Sequence, residues 1–314
     1  MDYFALGFLF TNDIYKMNLA PIILFVYNRL EHTKKTVEAL KLNKLVSESF
    51  LFIFSDGYKN EIDRKNVEEV RDYISTITDF KEIKITFREK NLGLANSVIS
   101  GVTEVINKHE KVIVLEDDIV TAPYFLKFMN EALDFYEKDE RIFSISGYNY
   151  PIKIPESYQH QIYISPRPSS WGWATLKDRW DKAVWNPEKV FDIKNHKLLN
   201  QFLDNAGKDL SPMLLKSFEG RINSWAVKWV FTHLYYHSFS IFPAKSLTEN
   251  IGADATGTNF TRRTNKYDVG IDPDFKRFEF SSDLKLNEEI IEQIKKLVRP
   301  GIISYLKYRL FNIY

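Results

Sequence analysis

Three consecutive carboxylates, Glu116-Asp117-Asp118, stand directly after the apolar run 112–115. Acids crowded at the end of a buried strand repel one another and lose solvation, which is costly unless a positive charge sits on them. Side chains alternate along a strand, so Glu116 and Asp118 point together, and the turn that ends the strand lets Asp117 reach the same cleft. A hard cation such as Mn2+ or Mg2+ suits such carboxylates, with phosphate oxygens and water completing its shell. The alternative is a solvated loop whose acids cap a helix beyond Pro123. The apolar strand ahead of the acids favours the cation.

Three more groups have suitable chemistry. Asn28-Arg29 follows the apolar run 22–27. Arginine forms bidentate pairs with phosphate or carboxylate, and asparagine can meet a nucleobase or ribose edge. Asp56, in Ser55-Asp56-Gly57, could accept from a uracil N–H or a ribose hydroxyl. Asn91-Leu92-Gly93-Leu94-Ala95 is a glycine turn into a helix, whose first amides favour an anion. Singly, these are equally an N-cap with a surface arginine, a plain turn and a helix start. Together they fall at the carboxyl ends of successive strands, where open α/β sheets bind their ligands.

The elements that must position them alternate. Apolar runs at 22–27, 51–54, 83–87, 112–115 and 142–145 predict strands, and helical spacing predicts helices over 30–42, 64–77, 94–107 and 125–136. That succession implies βαβ units, a largely parallel sheet and helices on both faces. After Gly147 the pattern breaks: Pro151, Pro155, Pro166 and Pro168 interrupt the chain, and all 6 tryptophans lie between Trp171 and Trp229. The expectation is a second, less regular half built over the carboxyl ends of the strands. Most of the 15% aromatic residues must be core, and some excess suits a sugar-handling surface.

The bulk numbers exclude other classes. Lys+Arg is 43 against 42 Asp+Glu in 314 residues, a net charge of +1 that gives no global reason to bind nucleic acid. With no cysteine, disulfides, thiolate metal sites and cysteine nucleophiles are out. No apolar run approaches the roughly 18 residues that span a bilayer. Neither a Walker phosphate loop nor a dinucleotide glycine fingerprint occurs. His233 and His237 lack the acid of a zinc-protease motif and are expected to be ordinary core or interface residues. Asn259-Phe260-Thr261 fits a glycosylation pattern, by chance without a signal peptide.

Val26-Tyr27-Asn28-Arg29, Phe54-Ser55-Asp56, Asn91-Leu92-Gly93-Leu94-Ala95 and Val114-Leu115-Glu116-Asp117-Asp118 together resemble the GT-A glycosyltransferases. The likeness is to the N-acetylglucosaminyltransferase I family and its bacterial polysaccharide-synthesis relatives. It implies a GT-A-like mixed, largely parallel sheet with helices on both faces and a Trp-rich acceptor half. It also implies that Arg29 and Asp56 bind UDP, with Asn28 and Asn91 in the same pocket. Glu116 and Asp117 would hold ribose and diphosphate, and Asp118 the metal. Ser170-Trp171-Gly172-Trp173-Ala174 matches a segment that closes over the active site through Trp171. Asn223-Ser224-Trp225 falls where the family carries an acid beside a tryptophan. Neither Asn223 nor Ser224 is a useful base at pH 7. Glu219, one helical turn before Asn223, or Asp254, in a glycine-flanked loop, would take that role.

The resemblance therefore implies Mn2+- or Mg2+-dependent, inverting transfer from a UDP-sugar to a saccharide or polyprenyl-linked saccharide acceptor, in bacterial surface-polysaccharide synthesis. The expected division is a leader or start-site extension at 1–16, a nucleotide-sugar-binding half at 17–150, an acceptor half at 151–297 and an amphipathic helix at 298–314. Arg299, Lys307 and Arg309 among apolar residues suit the last to an anionic membrane, so that the protein would be cytoplasmic, at the inner face of the cytoplasmic membrane. A terminal helix docked on the core is the alternative there. Two other functions compete: a nucleotidyltransferase, which needs a glycine-rich loop where 27–34 has no glycine, and an inactive sugar-binding protein.

Overall fold

The structure, a computed structural model, describes residues 18–254 and 264–301. The 1–16 extension, Asn259-Phe260-Thr261 and all of the terminal segment beyond residue 301 lie outside the described residues.

The first half follows the predicted alternation: β1 (Ile22–Val26), α1 (Leu30–Lys41), β2 (Phe50–Ser55), α2 (Glu61–Ile74), β3 (Glu82–Phe87), α3 (Leu94–His109) and β4 (Lys111–Glu116). β1 is apolar at every position because it is central. It pairs in parallel with β2 on one side (Ile22 opposite Leu51) and β4 on the other (Ile22 opposite Ile113), with helices over both faces. Ile22, Leu24 and Val26 pack under α1, α2 and a later helix, α4 (Phe125–Phe135). Ile23 and Phe25 face the opposite way, onto α3. α2 starts three residues earlier than its apolar spacing suggests, because the Asn60 side chain caps it by accepting from Asp63 N.

Between β4 and α4 lies a short strand, β5 (Ile119–Thr121), and α4 is followed by β6 (Ile142–Ser146), β7 (Ile162–Ser165) and β8 (Trp173–Leu176). The chain continues through α5 (Lys177–Trp180), α6 (His196–Leu203), α7 (Leu210–Phe218), α8 (Trp225–Tyr235), β9 (Phe239–Pro243), β10 (Thr248–Asn250) and α9 (Glu288–Leu297). The main sheet runs in the order β3-β2-β1-β4-β8-β6-β9-β7. β3, β2, β1 and β4 are parallel, and β6 and β9 are parallel to each other. β8 is antiparallel to both its neighbours, and β7 to β9. The sheet is thus mixed and largely parallel, as expected, but the 142–145 strand does not adjoin β4.

That insertion sets most of the tryptophan segment in the core. Trp173 is 1% exposed inside the sheet, opposite Val114, and stacks on Trp225 with ring centroids 4.9 Å apart. Trp180, Trp185 and Trp229 complete the cluster, which packs against α3. Most of the tryptophan surface is therefore core between the two halves, where Trp173 of β8 is covered by α3 together with Trp180, Trp225 and Trp229. His233 is fully buried in α8, bonded to Ser144 Oγ (3.0 Å) and Trp229 O (2.9 Å), and burial pushes its imidazole down to about 3. His237 lies past the end of α8, so the two histidines share no helix face.

α9 docks Ile290, Ile294 and Val298 on Tyr148, Tyr150, Tyr163 and Phe242. Val298, the first residue of the expected membrane-facing segment, is accordingly buried. Among the described residues no helix is long and apolar enough to cross a membrane.

Candidate active site

The strands β1, β2 and β4 end side by side, and a cleft of about 390 Å3 opens over their carboxyl ends. Asn28, Arg29, Asp56, Asn91, Glu116, Asp117, Asp118 and Trp171 all line it. Eight of the ten residues singled out in the sequence thus meet in one cleft, seven of them through the parallel register of the first half and Trp171 from the segment before β8.

Arg29 precedes α1 and turns its guanidinium across the end of β1 to the acids after β4. Its Nη2 donates to Asp117 Oδ1 and, at 2.7 Å, to Asp118 Oδ2. The anion that arginine meets is therefore the protein's own. Burial opposes the guanidinium's charge, but the two carboxylates outweigh it and hold its pKa above the usual arginine value. Burial raises the Asp117 carboxyl in spite of Arg29. Glu116 is pushed up to about 8, first by burial and then by the charges of Asp118 and Asp117, while the Trp225 side chain, hydrogen-bonded to it, pulls the other way.

Asp56 is buried at the end of β2, 6% exposed. Its oxygens accept from Leu92 N at 3.0 Å and Gly93 N at 3.1 Å. The anion expected at the turn before α3 is therefore Asp56 itself. Arg71 clamps the same turn, donating to Ser55 Oγ, Asp56 O and Arg88 O. Asn91 is committed to the backbone: its Nδ2 donates to Gly57 O at 2.7 Å and its Oδ1 accepts from Gly93 N. The Asn28 amide donates to Asp63 Oδ1 at 3.1 Å, beside the Tyr27 hydroxyl on Asp63 Oδ2, so it braces α2 and leaves its oxygen and one N–H for a ligand edge. Trp171 stands edge-on to Tyr148, with centroids 4.6 Å apart.

Of the two candidate bases, Glu219 is placed differently from expectation. α7 ends at Phe218; Glu219 follows it, Gly220 turns the chain at φ +72°, and Glu219 ion-pairs with Arg221 at 3.3 Å. Glu219 and Asn223 therefore share no helix, and Glu219 is exposed and does not line the cleft. The four-residue spacing misled because Gly220 ends the helix between them. Asp254 Oδ2 lies 3.1 Å from His32 Nε2, two residues beyond Gly252, which does line the cleft.

Several lining residues gave no sign of themselves in the sequence, among them Lys59, Asn250 and Gly252. Gly252 arrives because β10 pairs antiparallel with β5, the strand just past the acids, and Ile251 N then bonds Asp118 O at 2.9 Å. A Cβ at position 252 would sit 2.1 Å from Asp118 Oδ2 and 2.9 Å from Arg29 Nη1. Gly252→Ala is therefore expected to push the Asp118 carboxylate off Arg29 and to cost about 1–3 kcal/mol, as overpacking does. Chemical denaturation measures this; an unchanged midpoint would mean that the contact yields freely.

The donor set fits a divalent cation. The acids lining the cleft are Asp56, Glu116, Asp117 and Asp118, against Arg29 and Lys59 as bases. Asp118 Oδ1 is buried without a hydrogen-bond partner among the described residues. No group of three or more His, Asp or Glu side chains among them could hold a metal by itself. The protein would thus supply one carboxylate or two, the remaining ligands coming from phosphate and water, the usual arrangement for Mg2+-like ions.

The model of a family described as the GNT-I family matches residues 11–192, more than half of the chain. An Arabidopsis thaliana protein named alpha-1,3-mannosyl-glycoprotein 2-beta-N-acetylglucosaminyltransferase is 23% identical over 189 residues. That match takes in 54% of this chain and 42% of the relative, so it spans less than half of the relative's length. Partial likenesses among solved structures include the mannosyltransferase PcManGT from Pyrobaculum calidifontis, in complex with GDP-Man and Mn2+. It has 11% identity and a TM-score of 0.36 over 51% of this chain and 45% of that one. S. aureus TarS 1-349 has 12% identity and a TM-score of 0.40 over 73% of this chain and 59% of its own. Overlaps this slight say nothing of substrate.

Proposed function

The chain belongs to the GNT-I family, and from that membership we propose that it is a glycosyltransferase, moving a hexosyl or N-acetylhexosaminyl group from a UDP-sugar to a saccharide or lipid-linked saccharide. One observation carries the proposal. The Asp56 turn, Arg29 and the Glu116-Asp117-Asp118 acids line a single cleft, and its only unpaired buried oxygen among the described side chains is Asp118 Oδ1.

Uridine would lie at the Asp56 end, where the carboxylate is held in place by the Leu92 and Gly93 amides. The diphosphate would lie toward Asp118, which would hold Mn2+ or Mg2+ together with the phosphate oxygens; a cation there neutralises the charge of the leaving group. Arg29 keeps Asp117 and Asp118 side by side against their mutual repulsion. Trp171 offers an aromatic wall to a sugar ring.

The acceptor hydroxyl oxygen bonds to the anomeric carbon, the bond from that carbon to the diphosphate oxygen breaks, and the hydroxyl proton goes to a base. We assign the base to Asp254, which is near the cleft and partnered by His32, in preference to Glu219. The transfer is then inverting. The basic and apolar pattern of 298–314 supports peripheral contact with an anionic membrane, in surface-polysaccharide assembly.

A thermal-shift screen of nucleotide sugars with and without Mn2+ tests the reading. A ligand at about one hundred times its dissociation constant adds about 2.7 kcal/mol to stability. The expected result is a clear rise in melting temperature with a UDP-sugar and Mn2+ together, and little with either alone. No response to any nucleotide sugar would sink it. Binding without sugar release or transfer would instead favour an inactive sugar-binding protein, the reading that the absence of an acid at Asn223 keeps open.

A further inference from the structure

The Asn223 side chain joins the two halves of the cleft. Its Oδ1 accepts from Ala95 N, at 2.7 Å, and so caps the first turn of α3. Its Nδ2 lies over Gly93: a Cβ there would come within 2.6 Å of that nitrogen, in a residue whose φ of +73° already favours glycine. Two residues on, the Trp225 side chain hydrogen-bonds Glu116. The short segment from Asn223 to Trp225 thus runs from the Asp56 turn, whose Gly93 amide Asp56 holds, to the first of the three acids. A ligand reaching from one to the other passes Asn223.

The capping bond also orients the amide. An N–H can be met only by an oxygen, so Oδ1 must face Ala95 and the NH2 group must face away from it. That NH2 has no hydrogen-bond partner among the described residues, and Asn223 is exposed to the cleft that it lines. An aspartate would cap α3 as well as asparagine does, and the helix dipole would favour its charge. Its second oxygen would then stand where the amide nitrogen is, adding a negative charge to a cleft already lined by Asp56, Glu116, Asp117 and Asp118.

We infer that Asn223 contacts the ligand directly, donating a hydrogen bond from Nδ2 to an oxygen of the bound nucleotide sugar. This rests on the glycosyltransferase reading. Asparagine at this position caps the helix, carries no charge and presents a donor to an anionic ligand; neither serine nor aspartate combines the three.

Two substitutions separate contact from capping. Asn223→Asp keeps the capping oxygen and loses the donor, while Asn223→Ser shortens the side chain by one atom and loses both the donor and the bond to Ala95 N. Calorimetric titration of UDP-N-acetylglucosamine and UDP-glucose in Mn2+ should show binding of at least one to the unaltered protein. For that sugar nucleotide, affinity should fall by about three- to tenfold in Asn223→Ser and by about tenfold or more in Asn223→Asp. The melting temperature of Asn223→Asp should stay close to that of the unaltered protein, and Asn223→Ser should melt lower for want of the capping bond. Equal affinity in the serine variant, or faster transfer by the aspartate variant, would overturn the inference. If the unaltered protein binds no nucleotide sugar at all, it is the functional reading that fails.

Discussion

Asp118→Ala is expected to abolish sugar transfer and to leave the fold intact or slightly stabilised. The carboxylate is 8% exposed; its Oδ2 shares the Arg29 guanidinium with Asp117, and its Oδ1 has no hydrogen-bond partner among the described residues. Its charge is also the largest electrostatic influence raising Glu116. Removing it relieves that repulsion and leaves Arg29 paired with Asp117. On the proposed reading the loss falls on the reaction: Asp118 is the carboxylate that would hold the cation, and the cation would supply the counter-charge for the departing diphosphate. Electrostatic stabilisation of that kind is worth several kcal/mol, so turnover should drop by about a thousandfold or more. Product formation in saturating Mn2+, set beside a thermal melt, decides the matter. Full activity with a normal melt would remove Asp118 from the site.

Arg29→Met should act on stability as strongly as Asp118→Ala acts on rate. The guanidinium is the counter-charge for Asp117 and Asp118, 5% and 8% exposed, with Glu116 beside them. Methionine fills similar space without charge, so Asp117 and Asp118 are left facing each other with no cation between them. Removing one partner of a buried ion pair costs about 3–5 kcal/mol, because the remaining charge stays desolvated. The denaturation midpoint should fall accordingly. Mn2+ should recover more stability in this variant than in the unaltered protein, since the ion supplies the missing positive charge. A variant as stable as the parent without metal would mean that the acids are compensated from elsewhere.

Much of this site was legible in the chain because a parallel βαβ array converts a local pattern into a spatial one. Buried strands are continuous apolar runs, the residue after each run sits at the sheet's carboxyl edge, and parallel register sets those edges in line. Asn28, Arg29, Asp56, Asn91 and Glu116–Asp118 are found in that way. The partners within the edge were not legible. That Arg29 meets Asp117 and Asp118, and that Asp56 fills the amides before α3, depends on which strand ends adjoin.

By itself, then, the sequence determined most strands and helices of the first half, their parallel sense and the identity of the acids at the cleft, since each follows from periodicity within a few dozen residues. Only the tertiary structure decided what the second half does. Trp173 enters the sheet as an antiparallel strand between β4 and β6, and its indole becomes core with Trp180, Trp225 and Trp229. β10 reaches β5 across more than a hundred residues and sets Gly252 against Asp118. Glu219 is turned out of the cleft at Gly220, and Asn223 is drawn in to cap α3. None of these has a local signature, because each is settled by competition among distant surfaces for burial and by backbone groups seeking their last hydrogen bond.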